Sequence, residues 1–304
     1  MARLILSTNN IAFENLLTVR KPDSELSESE LSEALRYKLR DTQDNFSYLK
    51  YLDDKAGGIQ AQPQVPGLAL EYLSGYYIPR VDLSALPLSE ERSQYEITVK
   101  IFYLSRADMR NKEYANDAVR FVMRKLDIDY IDLLIVSFPK RLSDGEIEKE
   151  DLSEEEIEEN VATWTALSLL QERGIVNKLG VADFNTSKLD KFLKRVKVSP
   201  KVNQLNVKKC CNVAPSMIEL AKLKKIELLT HNDSINILPN FSLSGILKLD
   251  GEDADLRTHG NQSSDNVKNL LSSKWVVKYT AVVRDRGVIE YKGYFAAIEL
   301  LKSC

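Results

Sequence analysis

Short apolar runs alternate with longer amphipathic segments along this chain. The runs lie at Arg3–Ser7, Leu70–Ile78, Ile97–Leu104, Ile131–Ser137, Lys178–Ala182, Val202–Val207, Ile226–Thr230 and Val276–Val283, and many are continuous rather than alternating. Strands covered on both faces read this way, because neither face meets water. Between them the apolar period lengthens to that of a helix. Ser27–Arg40 carries Leu31, Leu35 and Leu39 four apart, and Tyr114–Leu126 gathers Ala115, Ala118, Val119, Val122 and Met123 on one side. Ser153–Arg173 opens with Ser153 and Glu156 in capping-box spacing and stops at Gly174. Ser187–Val196, Ser216–Leu223 and Tyr294–Leu301 complete the expected helices.

Strand starts at 97, 131, 178, 202, 226 and 276 are 34, 47, 24, 24 and 50 residues apart. Units of this size that alternate strand and helix imply parallel strands joined by crossover helices. The expected fold class is therefore α/β. Eight strands suggest a closed (β/α)8 barrel in a single domain, residues 1–304, with an open doubly wound sheet as the alternative. Two polar stretches, 41–66 and 250–265, exceed ordinary connection lengths and read as surface insertions.

Composition narrows the function classes. The 304 residues carry 42 Lys+Arg against 45 Asp+Glu, a net charge of −3. That balance supplies no bulk attraction to nucleic acid or to an anionic membrane. The chain holds neither G-x-G-x-x-G nor G-x-x-x-x-G-K-[ST], which argues against a Rossmann fingerprint and a Walker loop. Its three cysteines, Cys210, Cys211 and Cys304, make no disulfide framework and suit a reducing compartment. With no secretory pattern and no apolar run near the ~20 residues of a membrane span, the expected location is cytoplasmic, with the nucleus as a second compartment. Two histidines, His231 and His259, without C-x-x-C, give no metal-ligand spacing. The acidic run 146–159 reads as a solvated loop and helix start, where carboxylates suit the helix dipole, or as a docking patch for a basic partner.

In a barrel, chemistry gathers at the C-terminal ends of the strands. There the chain offers Lys100 within its run, Ser137, Ala182-Asp183-Phe184, Gln204, His231-Asn232-Asp233 and Arg284-Asp285-Arg286. Cys210 and Cys211, flanked by Lys208 and Lys209, are candidates for a redox-sensitive contact or an intersubunit disulfide, or simply for loop packing. His231 is a candidate partner contact or a hydrogen-bonded structural histidine, and Trp164 and Trp275 are expected in the core.

The segments 129–139, 174–184 and 200–204 resemble the aldo-keto reductases, whose resemblance implies a (β/α)8 barrel that reduces carbonyls beside NADPH with a tyrosine acid assisted by Lys, Asp and His. Lys100 matches the lysine position, but Ser137 stands where the histidine is expected. No Asp-x-Ala-x-x-Tyr-Gly motif accompanies Tyr76 or Tyr77, and Ala182-Asp183 replaces the Ser-Asn that holds the nicotinamide amide. A phenol of pKa about 10 needs a nearby cation and an ordered partner to act as an acid near neutrality. The resemblance thus implies a vestigial Lys100 and no working catalytic set. Gln204, Arg284, Arg286 and Lys292 remain as vestigial contacts for NADP(H), which is not required.

The segments 202–211, 226–233 and 278–294, with Asn-Gln, Cys-Cys, Thr-His-Asn-Asp and Arg-Gly-Val-Ile, resemble the regulatory (modifier) subunit family of glutamate–cysteine ligase. This resemblance implies a catalytically silent barrel that forms a heterodimer with the glutamate–cysteine ligase catalytic subunit. It would raise glutamate affinity and relieve glutathione inhibition, with Cys210, Cys211 and His231 as partner or redox candidates. The alternatives are an NADPH-dependent reductase and an NADP(H)-sensing pseudoenzyme.

Overall fold

The computed structural model describes residues 3–12, 30–39, 70–73, 76–79, 88–139, 153–206, 213–234, 236–238, 243 and 271–300. The expected insertions, 41–66 and 250–265, lie outside them, as do Cys210, Cys211, His259 and Cys304. The chain divides into two compact units. One comprises Met1–Asp82, Ser234–Val276 and Lys292–Cys304, and the other Leu83–Asp233 and Val277–Tyr291.

In the first unit, β1 (Arg3–Ser7) is paired on both sides. It runs parallel to β3 (Tyr76–Pro79), which forms an antiparallel pair with β2 (Leu70–Leu73). Its other neighbour is the C-terminal part of β10 (Val288–Leu300), antiparallel from Arg3↔Glu299 to Ser7↔Phe295. Helix α1 (Glu30–Leu39) buries Leu31, Ala34 and Leu35, the face its four-residue spacing announced. The run expected as one strand, Leu70–Ile78, is two strands. Of the segment 294–301, expected as a helix, residues 294–300 are strand. Ala296, Ala297 and Glu299 favour a helix on propensity alone, but pairing with β1 fully buries Phe295–Ile298, and tertiary burial overrides local preference.

The second unit carries the α/β pattern. Strands β4 (Tyr95–Tyr103), β5 (Ile131–Ser137), β6 (Val176–Ala182), β7 (Val202–Asn206) and β8 (Glu227–His231) are all parallel. They are joined by α2 (Arg106–Met109), α3 (Glu113–Leu126), α4 (Glu154–Glu172), α5 (Thr186–Leu193) and α6 (Pro215–Lys224). The Ser153–Glu156 capping box forms as the spacing predicts, and α4 ends before Gly174, whose φ of +72° suits glycine. Register is tight where β6 meets β7. A Cβ on Gly180 would lie 2.9 Å from Val202 Cβ, so only glycine fits there.

The last expected barrel strand behaves differently. β9 (Leu271–Val283) is the first arm of a hairpin with β10, turning at Arg284–Gly287, where Gly287 has φ +63°. The Arg284 N–H donates to Gln94 O at 2.8 Å, tying the C-terminal end of β9 to the start of β4, as in an antiparallel pair. Trp164 is buried, with its indole N–H donating to Val198 O at 2.7 Å, and Trp275 is also buried.

Candidate functional site

Two lysines in the second unit sit between apolar neighbours in their strands, Lys100 buried and Lys278 half-buried. Lys100 sits in β4 between Val99 and Ile101, and Lys278 in β9 between Val277 and Tyr279. A buried ammonium needs a counterion. Both find the same one, because β8 ends at His231 and the chain then brings Asp233 back over the strand ends. Lys100 Nζ donates to Asp233 Oδ2 at 2.8 Å, and Lys278 Nζ to Asp233 Oδ1 at 2.6 Å. The side chains of Lys100 and Asp233 are each 4% exposed. Asn206 Nδ2 holds the Asp233 carbonyl at 3.1 Å, fixing the turn.

His231 lies between two carboxylates. Its Nε2 is 3.1 Å from Asp183 Oδ1 and its Nδ1 is 3.1 Å from Asp233 Oδ2. Asp183 reaches it because the residue after β6 adopts a left-handed turn, φ +61°, with its N–H on Gln204 O at 2.8 Å. The next residue, Phe184, is clamped among Phe138 and Phe192 at ring-centroid separations of 5.8 and 5.3 Å. The strained backbone is held by aromatic packing, as such residues require.

The electrostatics follow from this geometry. Burial pulls the Lys100 ammonium below the usual lysine range, and Asp233 offsets only part of that. Burial would raise the Asp233 carboxyl, but the His231 hydrogen bond and the two lysines outweigh it and hold the group well below the usual carboxylate range. For His231, burial works downward, and the hydrogen bonds to Asp183 and Asp233 prevail, so the imidazole is held above its ordinary value. With His231 protonated, both ring N–H groups face carboxylates. When it is neutral, the Asp233 N–H, 3.2 Å from Nδ1, supplies the donor instead.

The structure therefore brings together Lys100, the His231 and Asp233 offered at one strand end, and Lys278, which the sequence had not singled out. The signal available in the sequence was a lone lysine inside each apolar run and the His-x-Asp step after a strand. Gln204 lies in β7 beside this group. Its Oε1 and the Oδ1 of fully buried Asn203 have no hydrogen-bond donor. Ser137 closes β5, half-buried, opposite Phe102. The side chains of Tyr76 and Tyr77 lie outside the described residues.

The residues of the expected basic cluster are each engaged by a carboxylate. Because β9 ends beside the start of β4, Arg284 lies at the N-terminal end of the parallel strands, on Tyr95 O at 3.0 Å and Asp132 Oδ1 at 2.8 Å. Arg286 pairs with Glu90, and Lys292 pairs with Glu30 at 2.5 Å. His231, a candidate partner contact, has a side chain only 6% exposed and is consumed by its aspartates.

These positions test the fit of NADP(H). The orphan Gln204 oxygen suits a carboxamide donor. Asp183 sets a carboxylate, already bonded, where a neutral amide is needed, and the cations expected for the phosphates are each paired with a carboxylate. Among the described residues, this set does not fit the dinucleotide. Among the described residues no group of three or more His, Cys, Asp or Glu side chains is placed to hold a metal ion. No helix among them is long and apolar enough to cross a membrane.

The sequence profile of the aldo/keto reductase family matches residues 75–291, most of the chain and all of the second unit. The chain belongs to the aldo/keto reductase family. Its α/β class and the parallel run β4–β8 are consistent with the barrel of that family. Within it, the chain is 26% identical over 220 residues to a putative glutamate–cysteine ligase regulatory subunit of Schizosaccharomyces pombe, covering 68% of this chain and 72% of that one. To the human glutamate–cysteine ligase regulatory subunit it is 26% identical over 210 residues, 67% of this chain and 66% of that one. The chain thus spans about two thirds of the length of such relatives. An Arabidopsis thaliana aldo-keto reductase is 33% identical over 91 residues, 29% of this chain and 28% of that one. Among solved structures, a Bombyx mori aldo-keto reductase in complex with NADP matches 44% of this chain and 40% of its own at 20% identity, with a TM-score of 0.32.

Proposed function

We propose that this aldo/keto reductase family member is a non-catalytic regulatory subunit of glutamate–cysteine ligase. It binds the separate catalytic subunit as a heterodimer, raises that enzyme's affinity for glutamate and relieves its inhibition by glutathione, with no cofactor of its own. The observation that carries this reading is that the expected dinucleotide contacts are already engaged by acids of this chain. Arg284, Arg286 and Lys292 each face a different acid, and Asp183 is turned onto His231. Ser137 in the histidine position supports the same reading, because a serine lacks the imidazole that would orient a carbonyl for hydride transfer. The regulatory-subunit relatives supply the partner.

The mechanism is linkage. A protein that binds the active conformation of an enzyme better than its inhibited one shifts that equilibrium by the difference in affinity, and needs no chemistry of its own. A tenfold change in apparent affinity requires about 1.4 kcal/mol of such preference. The buried cage of Lys100, Asp233, Lys278 and His231 then serves to hold the strand ends rigid.

Sedimentation velocity of the chain mixed with a glutamate–cysteine ligase catalytic subunit tests the reading, alongside NADPH consumption with a panel of aldehydes. A one-to-one complex and no turnover are expected. Robust aldehyde reduction without complex formation would overturn the proposal in favour of a working reductase.

A further inference from the structure

At the N-terminal ends of β6, β7 and β8 the second unit presents a face rich in exposed lysines, with Arg173 before β6 and the exposed Glu227 at the start of β8. Elsewhere the cations are commonly paired: Arg92 and Arg284 with Asp132, Arg106 and Arg110 with Glu159, Arg195 with Glu154 and Glu158, Arg286 with Glu90. Here Lys178, Lys201, Lys222, Lys224 and Lys225 are all exposed, and none has an ion-pair partner. The backbone draws them together. Lys201 N–H donates to Leu179 O at 2.7 Å, next to Lys178, and Lys201 O accepts from Glu227 N–H at 2.8 Å. Lys225 closes α6 in a left-handed turn, φ +54°, with its N–H on Lys222 O. In the midst of these lysines Leu223 is 75% exposed, the largest exposure of any big apolar side chain described.

An exposed leucine among unpaired lysines is costly as a free surface. Water surrounds an apolar group, and like charges crowd one another on a chain whose net charge is −3. Both costs are relieved by one kind of partner: a surface that offers an apolar recess for Leu223 and carboxylates for the lysines. Apolar anchors ringed by charge are how specific protein contacts are built, with the charges governing encounter rate and orientation. A nucleic acid fits less well. No aromatic ring stands among these residues to stack on a base, and the anionic remainder of the chain repels a polyanion.

We infer that this lysine-rimmed face, anchored by Leu223, is a docking surface for an acidic protein segment carrying an apolar side chain. Under the function proposed above, that segment belongs to the ligase catalytic subunit. The inference rests on that reading for the partner's name but not for its chemistry.

Two measurements on the full chain separate the two. The first uses a fluorescein-labelled glutamate-rich peptide with a central leucine, titrated by fluorescence polarisation at low and at physiological salt. Wild type is expected to bind at least about tenfold tighter than K222E/K224E/K225E, with affinity falling as salt rises. L223A is expected to bind more weakly without losing that salt dependence. K112E, a reversal at the start of α3, controls for net charge and is expected to match wild type. The second measures association of the same variants with the catalytic subunit. A complex that forms equally fast with the triple variant would overturn the docking surface and leave the regulatory function standing. No wild-type complex, with the peptide still bound through these residues, would overturn the regulatory function and leave the surface. Equal peptide binding by wild type and the triple variant, or a preference for an RNA oligonucleotide over the peptide, would overturn the inference outright.

Discussion

Asp233→Asn is the most informative single change in the buried cage. The substitution keeps the shape and removes one charge. Asp233 is the anion shared by Lys100 at 2.8 Å, Lys278 at 2.6 Å and His231 at 3.1 Å. Without it, Lys100 is a cation in a nearly sealed site with no carboxylate in contact. Breaking a buried pair by deleting one partner costs about 3–5 kcal/mol, chiefly the desolvation of the charge left behind. Lys100→Met is expected to cost less than about 3 kcal/mol, because the remaining carboxylate keeps Lys278 and His231. The double variant should be less unstable than the sum of the singles by about 1–3 kcal/mol. Urea unfolding in a Trp275→Phe background checks this, with Trp164, in the same unit as Asp233, as the fluorescent reporter. A loss below about 1 kcal/mol for Asp233→Asn, or a cost no greater than that of Lys100→Met, would refute the shared-anion account.

Other outcomes follow from the same structure. Because the folded-state pKa of His231 is raised, its stabilisation is complete below the unfolded value near 6.5 and is lost as the pH rises through the folded value. The urea midpoint of wild type should therefore exceed that of His231→Gln most at about pH 6 and least at about pH 9, and the reverse trend would contradict the assignment. Gly180→Ala places a Cβ 2.9 Å from Val202 Cβ and 3.1 Å from Val202 O, and should destabilise the chain by about 1–3 kcal/mol in thermal unfolding. Ser153→Ala removes the acceptor for the Glu156 N–H and should cost about 1 kcal/mol, read from the urea midpoint.

Much of the second unit was legible in the chain because local and long-range requirements agree there. Ile131–Ser137 is a strand with the bounds its apolar run suggested, and the Ser153 capping box and Gly174 stop delimit α4 as read. The misreadings fall where pairing partners distant in sequence decide. Tyr294–Leu301 has a helix-like composition, yet β1 claims it as a strand nearly three hundred residues away. Arg284 and Arg286 were expected at the C-terminal strand ends, and the hairpin sense of β9 moves Arg284 to the opposite end. At the site, Lys100 and His231 stood out by residue type. Asp233 was offered beside His231 without a role and Lys278 was not offered, because the counterion of a buried lysine is set by which strands become neighbours, and periodicity carries no record of that.

The central claim is that this chain acts by biasing another protein's conformations. The glutamate dependence of γ-glutamylcysteine synthesis, measured for a glutamate–cysteine ligase catalytic subunit with and without this chain and across a range of glutathione, tests it most directly. A lower KM for glutamate and weaker glutathione inhibition on adding the chain are the predicted results. Superimposable curves under conditions where both proteins are folded and in excess of any complex dissociation constant would contradict it.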